Sequence, residues 1–499
     1  MSTEVIGVCA LLGYLGALFV VAEIARRARR DSTPADHFLA ARDLGTLVLF
    51  LTLYSTAYSG NSLLGYPGNA YRTGYSFIMA TGFMMSIVVV YHALVPKLRP
   101  LATAHGFVTP GDWIRHRFGE SGAARWLLWV VAVLMSIALA NFLLAQLKAM
   151  GHVTDRMTGG MVPYELGVVG LAAIVLFYET LGGMRAVAWT DAAQGLLMLV
   201  GLAALLGWLL VEAGGLDAVT RAVAHTRPEA VAVPSAAVRA NWASSILLLG
   251  LASVIYPQAI QRIYAARSGA VLRRSLALMS FMPLTTTLVV TLIGIAAITR
   301  VEVGSAVAAD EVMPILLGEW ASGDGLHPVA AVAVFIGALA AIMSTADSCL
   351  LSLGSLVARD LAGRSDVAAA TTRLGKRVAA VLLVAMIPLA LSREVTLWRL
   401  IELKMELLIQ CVPAFLVALH WRGLSARGAL AGVLAGTALA LGLTFGGATR
   451  VGGVHAGVVG LGLNLAVALL VSFVGRRQAD WTSDPAEPGG VATPSASAR

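Results

Sequence analysis

The chain has 499 residues, of which 58% are hydrophobic and only 13% charged, and its mean hydropathy is +0.80. Soluble domains carry about 25% charged residues, so the composition excludes a water-soluble globule and predicts one integral membrane domain. The net charge of +8 does not call for nucleic acid, because basic residues collect on the cytoplasmic loops of membrane proteins. Cys9, Cys349 and Cys411 lie in apolar stretches and predict no disulfide framework.

Thirteen stretches reach the roughly 20 apolar residues that a helix needs to cross a bilayer. The predicted spans are 4–25, 46–74, 76–96, 124–148, 163–182, 186–212, 241–265, 275–299, 327–358, 374–392, 396–420, 427–447 and 454–474. Lysine and arginine, Arg262 among them, concentrate in every second loop. This bias predicts an outside N-terminus and a cytoplasmic C-terminus in a bacterial inner membrane.

The second predicted span carries a polar stripe that leads into a break. Four hydroxyl residues recur at helical spacing on one face: Thr52, Ser55, Thr56 and Ser59. Four helix-weakening residues follow: Gly60, Gly65, Pro67 and Gly68. A broken helix frees backbone carbonyls, which a membrane tolerates where they line a cavity or bind an ion. The alternative is close helix packing by small residues.

The seventh predicted span is interrupted as well. Pro257, between Tyr256 and Gln258, removes a backbone hydrogen bond and should break the helix. The interrupted spans are the second and the seventh, five spans apart in the chain. This spacing predicts a transporter built from two inverted five-helix repeats. Tyr256 and Gln258 are then candidates to face the solute.

The ninth predicted span carries a second hydroxyl stripe on one helical face: Ser344, Thr345, Ser348, Ser352 and Ser355. Hydroxyls and carbonyls are ligands that suit sodium, whereas a proton site would need a titratable group. Asp347 points to a different face of the helix. The alternative for Ser344 and Thr345 is a hydrogen bond to the carbonyls of the preceding turn.

Carboxylates inside the predicted spans are costly unless they are wet or paired. Asp191 in the sixth span either pairs with Arg185 or lines an ion exit route. Glu402 and Glu406 share a face of the eleventh span, and they line the solute cavity or its outer gate. Their alternative role is structural pairing with Lys404 or Arg399.

Four stretches resemble motifs of the sodium:solute symporter family, which includes proline, pantothenate, monocarboxylate and sugar carriers. In chain order they resemble the entry to the first core helix, its break, the turn between core helices four and five, and the sodium helix: Asp36–Arg42, Ser59–Gly68, Gly182–Gln194 and Met343–Ser348. The resemblance implies the fold named after the bacterial leucine transporter, an all-α membrane protein with a 5+5 inverted repeat and discontinuous core helices 1 and 6. The predicted divisions are 1–45 (first helix and linker), 46–265 (core helices 1–6), 266–420 (core helices 7–10), 421–477 (two further helices) and 478–499 (a disordered cytoplasmic tail).

The resemblance also implies a binding site for Na⁺ as the coupling ion. Its ligands would be the backbone carbonyls of Ser55, Tyr58 and Ala341 and the hydroxyls of Ser344 and Thr345. Asp191 would lie on the inward ion path. The expected solute contacts are Asn61, Ser62, Asn141, Tyr256, Gln258 and Glu402.

The expected function is secondary transport, in which sodium drives the uptake of a small organic solute by alternating access. Ala57 stands where the proline carriers place an aspartate, which disfavours proline and leaves a pantothenate-like acid or a monocarboxylate as the preferred class. No enzymatic activity, nucleic acid or obligate protein partner is expected. The alternatives are a proton-coupled carrier of the same fold and a solute sensor that signals to a partner.

Overall fold

The structure is a computed structural model that describes residues 3–27, 39–301, 307–363, 368–392 and 394–474. Its helices are α1 (Thr3–Arg27), α2 (Thr46–Ala57), α3 (Tyr66–Thr73), α4 (Met79–Ala104), α5 (Pro110–Phe118), α6 (Ala123–Met157), α7 (Tyr164–Ala213), α8 (Leu216–Thr226), α9 (Ala236–Ser253), α10 (Pro257–Ala265), α11 (Gly269–Met279), α12 (Leu288–Ala296), α13 (Val312–Ala321), α14 (His327–Ser355), α15 (Ala368–Leu391), α16 (Leu397–Leu408), α17 (Ala418–His420), α18 (Ala426–Phe445) and α19 (Ala456–Val474). One hairpin pairs β1 (Arg450–Val451) with β2 (Val454–His455). Four π-helical turns occur at Asn61–Gly65, Pro283–Thr287, Leu356–Leu361 and Pro413–Val417.

Within the described part of the chain, eight helical segments are long and apolar enough to cross a membrane, or nine if α9 and α10 form one bent span. The predicted all-helical membrane class is thereby confirmed, while the count of thirteen spans stays a prediction. Predicted spans 163–182 and 186–212 form the single helix α7 of 50 residues. The turn expected between them is therefore wrong, because helical backbone continues through Gly182 and Gly183.

Two spans are interrupted where the sequence predicts breaks. Helix α2 ends at Ala57, Tyr58 leaves helical geometry with φ −110° and ψ 87°, and helical backbone resumes at Gly60. Helices α9 and α10 meet at a bend of 51°, and Pro257 begins α10, where its missing N–H group breaks no hydrogen bond. The first break is shorter than expected, because all four of its predicted helix-weakening residues lie in helical backbone: Gly60, Gly65, Pro67 and Gly68.

Backbone hydrogen bonds join the two interrupted spans at one end of the bundle. The N–H of Leu44, just before α2, donates to the carbonyl of Ala265 at 3.3 Å, and the N–H of Arg267 donates to the carbonyl of Leu44 at 3.1 Å. Arg42 donates to the carbonyl of Phe107 at 2.6 Å. The first residues of the Asp36–Arg42 motif, 36–38, lie outside the described residues.

We name the two ends of the bundle after the short helices that cover them. The α5 end, which the sequence predicts to be cytoplasmic, holds a network in which Arg115 lies 2.9 Å from Asp360 and Arg359 lies 3.2 Å from Asp112. Burial alone would raise the pKa of Asp112, but Arg359 and two backbone N–H groups hold that pKa below its usual value. The α13 end carries α8, α13 and the hairpin.

Helices α14 and α15 cross at two glycines whose backbones touch. A Cβ atom at Gly354 would lie 2.8 Å from the carbonyl oxygen of Gly375. Gly354→Ala should therefore force the helices apart and lower the free energy of unfolding by about 1–3 kcal/mol. Thermal unfolding in detergent measures this loss. Gly207→Ala, at a position with open space around it, is the control, and equal unfolding temperatures for the two variants would contradict the prediction.

Candidate functional site

The buried guanidinium of Arg262 connects four helices in the centre of the bundle. Its Nη2 lies 2.9 Å from Asp191 Oδ2 of α7 and 2.7 Å from Ser348 Oγ of α14, and its Nε lies 2.8 Å from Thr52 Oγ1 of α2. The side chains of Arg262 and Asp191 are fully buried. The assignment of Arg262 to a loop is therefore wrong, because this arginine is paired inside the bundle.

Asp191 receives several hydrogen bonds in addition to its ion pair. The Thr52 hydroxyl donates to its carboxylate, and the Ser55 hydroxyl donates to its backbone carbonyl at 3.0 Å. The structural pairing that the sequence left open is thus present, with Arg262 as the partner. The side chain of Arg185, the expected partner, lies outside the described side chains. The place of Asp191 on an ion path stays a prediction.

The predicted sodium ligands of α2 and α14 lie at one level of the bundle. Ser55 follows Thr52 by one turn toward the α13 end. Helix α14 runs in the opposite direction, so Ser344 lies one turn from Ser348, also toward the α13 end. Since Thr52 and Ser348 both bond to Arg262, Ser55 and Ser344 come to the same height on facing helices.

The oxygen atoms at this level suit a small hard cation. Because α2 ends at Ala57, the Ser55 carbonyl belongs to its last turn and has no partner within the helix. The Ser344 hydroxyl is buried and forms no hydrogen bond of normal geometry, and it lies beside the Asp191 carboxylate. Thr345 donates to the Ala341 carbonyl at 2.9 Å, as the back-bonding alternative predicts, yet its oxygen keeps lone pairs for an ion. The predicted set is buried throughout: Ser55, Tyr58, Ala341, Ser344 and Thr345.

The rest of the hydroxyl stripe on α14 has a structural role. Ser352 donates to Gln261 Oε1 at 2.6 Å, and Gln261 Nε2 donates to Ser355 at 2.7 Å. These bonds attach α14 to α10 on the α5 side of Arg262. Ser344 and Thr345 are therefore the members of the stripe that remain for ion binding.

A central cavity lies beside this level, between the two interrupted spans, α4, α6 and α16. Its polar lining is Thr56, Ser59, Asn61, Ser62, Tyr66, Tyr91, Ser253, Tyr256 and Lys404. Of the expected solute contacts, Asn61, Ser62 and Tyr256 line this cavity, whereas Asn141 and Gln258 are not among its lining residues. Lys404 was not predicted to face the solute, because its neighbours Glu402 and Glu406 offered a simpler pairing.

A second cavity, which we call the vestibule, opens at the α13 end. Its charged lining residues are Arg72, Arg399, Glu402 and Arg450. Glu402 Oε2 lies 3.0 Å from Arg399 Nη1, and Arg450 also pairs with Glu402. Glu402 thus lies in the vestibule and is paired with arginines.

One aromatic layer separates the vestibule from the central cavity. Tyr66 lines the cavity, and Phe77 and Trp398 line the vestibule. The rings of Phe77 and Trp398 are 5.1 Å apart, and those of Tyr66 and Trp398 are 6.0 Å apart. This layer is where a solute would pass between the two cavities.

The loop before α13 packs beside the aromatic layer. Asp310 accepts a hydrogen bond of 2.9 Å from the backbone N–H of Leu397 at the start of α16. Burial raises the pKa of Asp310 to about 6. A hydrogen bond from His152 and the pairing with Arg156 lower the pKa of Glu311 to about 2. The loop therefore contains one carboxyl that titrates near neutral pH.

The ion pair of Arg262 with Asp191 should be strongly coupled. Asp191→Asn or Arg262→Gln leaves one charge buried without its partner, and each should cost about 3–5 kcal/mol of stability. The double variant should cost less than the sum of the two. Thermal unfolding of the three variants in detergent measures the coupling. The exposed pair of Asp217 with Arg221 is the control and should show none, and additive losses at the buried pair would contradict the prediction.

The free energy of unfolding should fall as the pH rises from about 4 to 6. Folded Asp310, with its pKa near 6, keeps a proton that the unfolded chain releases near pH 4, so the folded state is favoured below this window. The change should be about 2–3 kcal/mol. Asp310→Asn should remove this contribution from unfolding curves measured across this range and leave that of Asp360, whose pKa burial also raises to about 6. Glu311, with its pKa lowered from 4.5 to about 2, adds stability as the pH rises between these two values, mostly below the window. An unchanged pH slope in the Asp310 variant would contradict the prediction.

The comparisons with known proteins agree with this architecture. The model of the sodium:solute symporter family matches residues 37–436. The sodium/pantothenate symporter of Escherichia coli is 26% identical over 450 residues, which cover 88% of this chain and 90% of that protein. The osmoregulated proline transporter OpuE of Bacillus subtilis is 27% identical over 454 residues, which cover 89% and 90%.

Solved structures show the same fold. A Na⁺-coupled sialic acid symporter matches with a TM-score of 0.76 at 17% identity, over 94% of this chain and 97% of that one. The nucleobase-cation-symport-1 family transporter Mhp1 in a closed conformation matches with a TM-score of 0.54, over 88% and 95%. The predicted leucine-transporter fold is therefore confirmed. Since the family model covers most of the sequence, the chain belongs to the sodium:solute symporter family, a family of secondary transporters with sodium as the coupling ion.

Proposed function

We propose that this protein uses the inward flow of sodium to take up a small organic acid, pantothenate-like or a monocarboxylate, across a bacterial cytoplasmic membrane, with its N-terminus outside. The observation that carries the proposal is the common level of the Ser55 carbonyl and the buried Ser344 hydroxyl on facing helices. Neutral oxygen donors at a helix break form a site for a monovalent cation without a titratable ligand.

Sodium binding and solute binding are linked through the break in α2. An ion held between α2 and α14 would fix the position of Tyr58, where the helix stops. Asn61 and Ser62 follow within one turn and line the central cavity. The Gly60 N–H, donating to Gln146 Oε1 at 3.1 Å, ties the same segment to α6. Sodium would therefore order the residues that contact the solute before the solute binds.

Transport then requires the two ends of the bundle to open in turn. Toward the vestibule, the closure is the aromatic layer of Tyr66, Phe77 and Trp398. At the α5 end, the closure includes the ion pair of Arg115 with Asp360 at 2.9 Å. These are contacts between side chains, so rigid groups of helices can separate there without unfolding.

The membrane potential supplies part of the driving force. A potential of about 100 mV contributes roughly 2.3 kcal/mol for each charge moved inward. Because the proposed solute carries one negative charge, the first sodium ion moved with it cancels that charge. Each sodium ion beyond the first supports a roughly 50-fold solute gradient, before any sodium gradient is added.

Two observations support an acid as the solute. The Escherichia coli relative is named for pantothenate. The position at which proline carriers hold an aspartate is Ala57 here, although the Bacillus subtilis relative is a proline transporter. The proposal therefore places pantothenate, pyruvate and acetate before proline and glucose.

The proposal predicts that Ser344→Ala with Thr345→Ala weakens sodium coupling. Loss of two of about five ligands should raise the sodium concentration for half-maximal uptake by at least about tenfold, equivalent to about 1.4 kcal/mol. Radiolabelled pantothenate, pyruvate, acetate, proline and glucose would be offered to proteoliposomes with an inward sodium or an inward proton gradient.

Ser352→Ala is the matched control, because this hydroxyl belongs to the same stripe but bonds to Gln261. It should keep the sodium dependence of the wild type. Uptake driven as well by protons alone would contradict the sodium site, and so would a double variant with an unchanged sodium requirement.

A further inference from the structure

Lys404 has a buried amino group that faces the central cavity. It lies in α16 with 2% of its surface exposed and is the only charged side chain among the described residues that line the cavity. Its Nζ lies 3.2 Å from the centre of the Phe142 ring and 5.6 Å from that of Tyr256. These two rings stack on each other at 5.5 Å and form an aromatic wall behind the ammonium group.

The neighbouring carboxylates on α16 do not neutralise this charge. Glu402 and Glu406 lie two residues to either side of Lys404, and residues at this spacing do not share a helix face. Glu402 pairs with Arg399 and Arg450, and Glu406 accepts from Thr444 at 3.0 Å. Throughout the described ranges, no carboxylate forms an ion pair with Lys404. Of the two partners that the sequence offered for these glutamates, Arg399 is the one present, 3.0 Å from Glu402 and 3.7 Å from Glu406, whereas pairing with Lys404 is not found among the described residues.

An ammonium group in such a place is expensive. Burying a charge without a partner costs several kcal/mol, and contact with aromatic rings returns only about 2 kcal/mol when the cation is desolvated. An ionisable side chain at membrane depth therefore indicates function. The missing counter-charge should come from the molecule that the cavity receives.

Other groups around the cavity can bind the same molecule. The side-chain Oδ1 and Nδ2 of Asn61 and the hydroxyl of Tyr256 are buried without hydrogen-bond partners, and both residues line the cavity. An amide and a phenol can donate to a carboxylate oxygen or bond to a hydroxyl or carbonyl elsewhere in a small acid. Three arginines and one glutamate line the vestibule. Their excess of positive charge would attract an anion toward the aromatic layer.

We propose that Lys404 binds the carboxylate of the transported solute, with Asn61 and the Tyr256 hydroxyl as further polar contacts, so that the protein selects small organic anions. This inference rests on the proposed function, because it assigns the substrate class of the same cavity. It adds a specificity-determining residue: Lys404 itself would supply the positive charge that pairs with the carboxylate of the solute.

The test compares carboxylates with their neutral analogues in proteoliposomes. Sodium-dependent uptake would be measured with radiolabelled pantothenate and panthenol, pyruvate and pyruvamide, and acetate and acetamide. The wild type should respond to at least one carboxylate and not to its neutral partner. Lys404→Met, which keeps the length and apolar stem of the side chain, should raise the half-saturating concentration of that carboxylate by about 30-fold or more. Lys404→Gln is the second variant in case the methionine variant does not fold.

Two further readouts separate a binding role from a structural one. Lys404→Met should unfold at the wild-type temperature or higher, because an apolar residue replaces a buried charge. Lys148→Met is the matched control, since Lys148 is equally buried but donates to the Ser392 carbonyl at 2.6 Å and does not line the cavity. It should lower stability and leave the half-saturating concentration unchanged.

The outcomes distinguish this inference from the proposed function. Thermal unfolding in sodium chloride and in choline chloride reports sodium binding without any solute, and Lys404→Met should keep the sodium effect. If sodium stabilises the protein but only neutral or cationic solutes, or none of the carboxylates, are taken up, the inference about Lys404 is overturned. The same holds if Lys404→Met transports the carboxylate with wild-type affinity. Carboxylate uptake that needs Lys404 but proceeds equally in choline would support the inference and refute sodium coupling.

Discussion

The buried guanidinium of Arg262 is the contact on which the arrangement of the site depends. One side chain bonds to α2, α7 and α14 from α10, and its pairing with Asp191 is fully desolvated. Such a pair is costly to break and sensitive to distance, so the four helices are held at a fixed height relative to one another. The proposed sodium ligands on α2 and α14 face each other because both helices are bonded to this pair.

The polar groups of the molecule follow the path of the solute. Arginines line the vestibule, an aromatic layer closes it, and a lysine with unpartnered amide and phenol groups lies beyond. The break in α2 borders both the proposed sodium site and this cavity. A cation that binds on one side of the break and an anion that binds on the other are therefore coupled through the same few residues, from Ser55 to Ser62.

Local patterns in the sequence predicted much of this. Pro257 and the glycine-rich stretch after Ser59 indicated the two interruptions, and the hydroxyl spacing on α14 indicated Ser344 and Thr345, because helix breaks and helix faces are properties of short segments. The spacing could not show that Ser352 and Ser355 belong to a contact with Gln261, since this depends on which helix packs against that face.

The errors came from charges whose partners are far away in sequence. Arg262 was assigned to a loop because arginine in an apolar stretch usually marks one, and its partner Asp191 is 71 residues away. Lys404 was grouped with Glu402 and Glu406 because they are close in sequence, although the structure turns them to different sides of α16.

Direct measurement of coupling between sodium and solute tests the central claim most clearly. In proteoliposomes, external pantothenate, pyruvate or acetate should stimulate the influx of radioactive sodium ions. The account predicts a constant ratio between the sodium ions and the acid molecules that enter. Sodium influx that none of these acids changes would contradict it.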